Sequence, residues 1–129
     1  CTISVSFSPV GVGTFNDAVV VDYNNGAAVV SVSRPLTGNG ANPALLTVSH
    51  GPTYDYGNRV LTSATSLSFT ITNTGGVNTT AMNGVNIATP FEFSGGTYPG
   101  ATGTCGATLA PAATCTVVVT FTPTILGLQ

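Results

Sequence analysis

The side chains able to do chemistry are few: one His, four acids, two cations and three Cys in 129 residues. His50 and Asp55 fall close together in "VSHGPTYDYG" in a Ser-rich chain, so a Ser/His/Asp relay is arithmetically available. No nucleophile-elbow sequence accompanies them, and a lone loop His is more often a hydrogen-bonded surface residue. The acids Asp17, Asp22, Asp55 and Glu92 are widely separated. "DYNNG" at 22–26 offers oxygens for calcium, yet reads equally as a hairpin turn that needs no metal. Zinc is not expected either, since with two of the three Cys expected in a disulfide, one His and the remaining Cys leave no ligand set. No Gly stretch has the strand-to-helix setting of a phosphate loop. Tyr23, Tyr54, Tyr56 and Tyr98 are candidates for a sugar-stacking platform, with core or rim packing as the plainer alternative. No catalytic residue, cofactor site or metal ligand is assigned.

The cysteines carry more information. Cys105 and Cys115 flank "GATLAPAAT", a Gly- and Pro-containing loop between strand-like segments, and a disulfide there would close a short loop. Two buried thiols are the alternative. A bridge would place the protein in an oxidising compartment, extracellular or at a cell surface. Cys1 is left over: paired with residues outside this chain, free, or lipidated.

Charge excludes whole classes of partner. Asp, Glu, Lys and Arg make up 5% of the chain, Arg34 and Arg59 are the cations, and the net charge is -2. There is no basic stripe for phosphate contacts, so no nucleic-acid partner is expected, and anionic membrane surfaces are disfavoured. Apolar runs such as Ala27 to Val30 and Val117 to Val119 are far too short for a spanning helix, so no membrane insertion is expected. A surface this poor in charge is suited to lying against neighbouring copies or repeats of itself, or under glycan.

These residues must be positioned by strands. In "SLSFTITN" Leu67, Phe69 and Ile71 alternate with Ser68, Thr70 and Thr72, the period of a half-buried strand. "TVVVTFT" gives Val117, Val119 and Phe121 as an inward set, and "TISVSFS" gives Ile3, Val5 and Phe7. "AVVVDYNNGAAVVSV" predicts two strands around an Asn24-Asn25-Gly26 turn that needs positive φ. Shorter strands are expected at 45–49, 84–88 and 91–93, with Gly, Asn, Thr and Pro loops between. No helical period appears, and 16 Gly and 8 Pro argue against helix. The fold class is all-β, with strand spacing suited to a sandwich.

The chain also repeats itself. "CTISVSFSP" at 1–9 returns as "CTVVVTFTP" at 115–123, pairing Cys1 with Cys115, Val5 with Val119, Phe7 with Phe121, Pro9 with Pro123 and Gly13 with Gly127. The offset, 115 minus 1, is 114 residues, a size suited to one sandwich domain per repeat. The natural boundary is "LTGNGANP" at 36–43. Residues 1–40 then read as the C-terminal strands of one repeat, and residues 41–129 as the N-terminal and middle strands of the next, lacking its last hairpin.

With that division in view, "YDYGNRVLTSATSLSFTITNTGG" at 54–76, "PFEFSGG" and "GTCGATLAPAATCTVVVTFTPTILG" resemble the immunoglobulin-like repeats of the ASH/Hydin type, in particular those of bacterial choice-of-anchor D surface proteins. Tyr56-Gly57 resembles the aromatic-Gly pair of that pattern, Asn73 to Gly75 its turn, and Cys115 to Pro123 its C-x-v-x-v-x-F-x-P strand; Ser63 or Ala64 stands where the pattern has a second Gly. The resemblance implies an immunoglobulin-like β-sandwich repeat, cut here across two consecutive repeats, in a secreted, modular, non-catalytic protein.

The expected function is therefore structural: a module of a surface or extracellular filament protein that assembles through tandem repeats or strand exchange. Cys1, Ile3, Val5, Phe7, Val19, Val21, Val30 and Val32 are the expected inter-repeat or inter-chain contacts, each buried apolar side chain being worth roughly 1.5 to 3 kcal/mol. An adhesive or carbohydrate-binding domain is the alternative.

Overall fold

The computed structural model describes residues 1–85 and 87–125. Among these residues it is all-β without helix, and its strands form two antiparallel sheets. The chain divides into two compact units, Cys1–Asn42 and Pro43–Gln129.

The first unit is a long hairpin. Strand β1 (Gly13–Asn24) pairs along its whole length with β2 (Val29–Gly40), from Gly13↔Gly40 to Asn24↔Val29. The turn between them is built by its own side chains. The Asn25 N–H donates to the Ala28 carbonyl at 3.1 Å, the Asn24 Oδ1 accepts from Gly26 N–H, and the Asn25 Oδ1 accepts from the N–H groups of Ala27 and Ala28. Gly26 takes the expected positive φ, 99°. Cross-strand partners share a face, so Val21 with Val32, Tyr23 with Val30, and Phe15 with Gly38 lie on one side together with Val19 and Leu36. Val20, Val29 and the Ser residues of β2 take the other.

The segment before β1 departs from expectation. Residues 1–9 form no strand, and Ile3, Val5 and Phe7 are exposed rather than inward. Phe7 rests its ring on Gly38 and meets Phe15 edge-on at 6.1 Å. Among the described residues no hydrogen bond reaches residues 1–12. Alternation is present in this stretch, but it has no strand edge to pair with.

The second unit holds β3 (Leu46–Val48), β4 (Thr65–Asn73), β5 (Phe91–Phe93) and β6 (Thr114–Phe121) in the sheet order β3-β4-β6-β5. Strand β6 is paired on both edges. On one side it runs from Thr65↔Phe121 to Thr72↔Thr114 along β4. On the other, β5 covers Val119 to Phe121, and the irregular chain that follows continues the edge: Ser94 N–H to the Val118 carbonyl (2.9 Å), Val118 N–H to Pro99 (2.8 Å), Thr104 N–H to Thr116 (2.9 Å). Of the expected inward set Phe121 is buried while Val117 and Val119 are only half-buried, and Val118 and Thr120 on the opposite side are buried instead; the second edge explains this, since backbone at Pro99 and Gly100 lies against Val118, and Thr120 bonds Ser66.

The strand expected at 84–88 does not form among the described residues of that stretch; Val85 and Ile87 are exposed, and Asn86 lies outside the described residues, as does Gly127 of the repeat alignment. The strands expected at 45–49, 91–93 and over "SLSFTITN" and "TVVVTFT" are present as β3, β5, β4 and β6.

Candidate functional site

The small core of the second unit is organised by the disulfide. Cys105 and Cys115 are bonded, ten residues apart, and with Leu109 form a buried cluster against which Ile71, Met82, Tyr98, Ala113 and Val117 pack. The bridge indicates a non-reducing environment. Cys1, the equivalent of Cys115 in the repeat, is a free, exposed thiol.

Asn73 is the residue that sequence reasoning placed only in a turn. It is wholly buried, its Oδ1 accepts from the N–H groups of Leu45 (3.2 Å) and Gly75 (3.0 Å), and its Nδ2 donates to the carbonyls of Val77 (2.8 Å) and Leu109 (2.9 Å). One amide thus ties the chain at Leu45 and at Leu109 to the turn that follows it at Gly75 and Val77. The turn-forming "NTGG" was the visible signal; the burial follows from the neighbouring loops, which pattern alone does not place.

Among the described residues His50 and Asp55 make no hydrogen bond to each other. Ser49 Oγ lies 2.8 Å from His50 Nδ1 and also accepts the Thr70 N–H at 2.9 Å, so it ties the imidazole to β4. The Asp55 carboxylate instead accepts the Gly57 N–H. His50 joins an aromatic cluster with Tyr54 (5.4 Å) and Phe69 (5.5 Å), extended by Tyr56, Phe91 and Phe121. The Tyr54 contacts to His50, Tyr56 and Phe69 are all edge-to-face, which turns the rings toward one another. Tyr56 is buried, and its hydroxyl donates to the Val119 carbonyl at 3.1 Å; burial, helped by the nearby Tyr54 hydroxyl, raises its pKa above the ordinary tyrosine value. Tyr98 lies elsewhere, against Phe93, and Tyr23 is on the hairpin, so the four tyrosines do not share one platform.

The side-chain oxygens of "DYNNG" are engaged locally. Asp22 accepts from Ser31, while Asn24 and Asn25 cap their own turn. Among the described residues no three His, Cys, Asp or Glu side chains come together.

What both units do present is apolar surface without cover. On the sheet of the second unit, Leu46, Val48, Ile71, Met82, Tyr98 and Val117 line an open trough of about 310 Å³. The chain at Gly84 lies over Phe93 and Tyr98, on this same side. On the hairpin, Val5, Phe7, Phe15 and Leu36 help line a groove of about 460 Å³. Of the predicted contact residues, Val19 and Val30 are half-buried, while Cys1, Ile3, Val5, Phe7, Val21 and Val32 are exposed. The hairpin brings Val19, Val21, Val30 and Val32 onto one face.

Comparison of the chain with protein-family models, with curated proteins and with solved structures finds no match.

Proposed function

We propose that this chain is a structural, non-catalytic module of a secreted bacterial surface or extracellular filament protein, built from immunoglobulin-like repeats and assembling head-to-tail through tandem repeats or strand exchange. The observation that carries this reading is the coincidence of a 114-residue repeat with two units that each leave an apolar face open. A two-stranded hairpin is marginal in water unless its apolar face is packed against something. The 12-residue strands of unit one, with Val21, Val32 and Tyr23 exposed, call for a neighbour.

The sheet order adds support. An immunoglobulin constant-type sandwich has one sheet in the order A-B-E-D and a second made of C, F and G. Order β3-β4-β6-β5 corresponds to the first, if 84–88 is the C segment and a following hairpin supplies F and G. The sequence period puts a β1–β2-like hairpin directly after a β6-like strand, where F and G belong. The non-reducing environment indicated by the disulfide is consistent with secretion.

Light scattering combined with negative-stain microscopy over a range of protein concentrations tests the reading. Elongated oligomers are expected, and globular monomers at every concentration would contradict it. The intact mass of native material then separates the two routes: about 12.8 kDa assigns the assembly to strand exchange, and a mass containing several 114-residue periods assigns it to covalent tandem repeats.

A further inference from the structure

We infer that the open face of the β3-β4-β6-β5 sheet receives the β1–β2 hairpin of a second copy of this chain, with β1 pairing its free edge to the chain at Val85 and Ile87. This rests on the self-assembling immunoglobulin-like reading above and adds the occupant, the face and the edge.

Four observations select this occupant. The covering layer must present an apolar stripe, and the hairpin offers one: Phe15, Val19, Val21, Val30, Val32 and Leu36 share a face, with Asp17 and Arg34 as its charged members, opposite Leu36 and Val19 respectively. The covering layer must also pair with the segment that crosses the sheet at Gly84, where Val85 and Ile87 alternate in strand fashion yet are exposed and form no strand. In a C-F-G sheet the neighbour of C is F, the first strand of the hairpin, and β1 has one edge unpaired in the hairpin. Finally, in the repeat the hairpin follows a strand equivalent to β6, so a docked hairpin meets β6 where it has left residues 1–9. That stretch is held without hydrogen bonds among the described residues, and its Phe7 covers Gly38 on the very face that docks. Residues 1–9 therefore act as a weakly attached cover that β6 of the receiving copy replaces.

Face-specific substitutions on the full chain test this by sedimentation velocity over a concentration series. Val32→Asp charges the docking face and is expected to weaken self-association at least tenfold; Val20→Asp, on the opposite face of the same hairpin, is expected to leave it within twofold. Amide exchange on the wild type should show new protection at Val85 and Ile87 as the chain associates. The inference is overturned if the two variants behave alike, if Val85 and Ile87 stay unprotected in the oligomer, or if their protection is independent of concentration, which would mean that the hairpin closes on its own chain. A wild type that never associates is a different result, and removes the broader reading with it.

Discussion

One nine-residue motif occurs twice in this protein and meets two fates. At 115–123 it is β6, hydrogen-bonded on both edges, with Phe121 at 4% exposure and Cys115 in a disulfide. At 1–9 it forms no strand, Phe7 is 53% exposed and Cys1 is free. The alternation is nearly the same in both, so composition does not account for the contrast. The neighbours do: β4 and β5 flank β6, whereas residues 1–9 rest on one face of a hairpin, at Phe15, Gly38 and Gly40, with no strand edge beside them. Period-two alternation specifies which side of a strand is apolar, and a strand exists only where an edge is available to pair with it.

The sharpest way to break this comparison is to truncate the same ring in both copies. Phe121→Ala should cost about 4 kcal/mol of stability in urea unfolding, the range for a buried Phe, while Phe7→Ala should cost under about 1 kcal/mol. Equal losses would mean that the two copies are equally embedded.

Asn73→Ala should come next, at about 3 kcal/mol by the same measurement, because it strands the N–H groups of Leu45 and Gly75 and the Val77 carbonyl, and leaves the Leu109 carbonyl with the Thr79 N–H alone. The tie to Leu109 also steadies the loop that leads into β6, so added amide exchange in β6 is expected in this variant.

Replacing Cys105 and Cys115 together by Ser should lower stability by roughly 3 kcal/mol on the loop-entropy model. Cys1→Ser should leave the melting temperature of the unassociated chain unchanged. This pair contrasts the equivalent cysteines directly, and a comparable loss in both would show Cys1 to be structurally engaged.

The smallest effect is expected at Tyr56→Phe, which removes the bond to the Val119 carbonyl at about 1 kcal/mol. Because folding raises the Tyr56 pKa, the folded state keeps this proton longer than the unfolded state does. The associated stability is present in full below the unfolded value of about 10 and falls as pH rises through the folded one. Alkaline destabilisation should be shallower in Tyr56→Phe, as read from melting temperatures between neutral pH and pH 11.

Much of the fold was legible because most strands carry their own pattern. Leu67, Phe69 and Ile71 marked β4, and Asn24 to Gly26 marked the turn of the long hairpin. The misreadings share one cause. Residues 2–8 and 84–88 alternate as well as any strand, but among the described residues of both stretches there is no partner edge, and a partner is a tertiary fact. Burial of Val118 was hidden for a related reason: it depends on irregular backbone at 94–105 completing a strand edge, and irregular backbone has no period to read. The Asn73 amide was visible as turn chemistry, which covers its bonds to Gly75 and Val77, but those to Leu45 and Leu109 require loops from distant parts of the chain to converge. At the candidate site, the apolar anchors of the hairpin could be named from alternation, and only the register showed that Val19, Val21, Val30 and Val32 lie on one side.

Native-state amide exchange at the equivalent pairs Val5/Val119 and Phe7/Phe121, on dilute, unassociated chain, tests the central claim most directly. The account predicts exchange within about tenfold of the unstructured rate at Val5 and Phe7, and protection by several orders of magnitude at Val119 and Phe121. Matching protection at the two copies would contradict it.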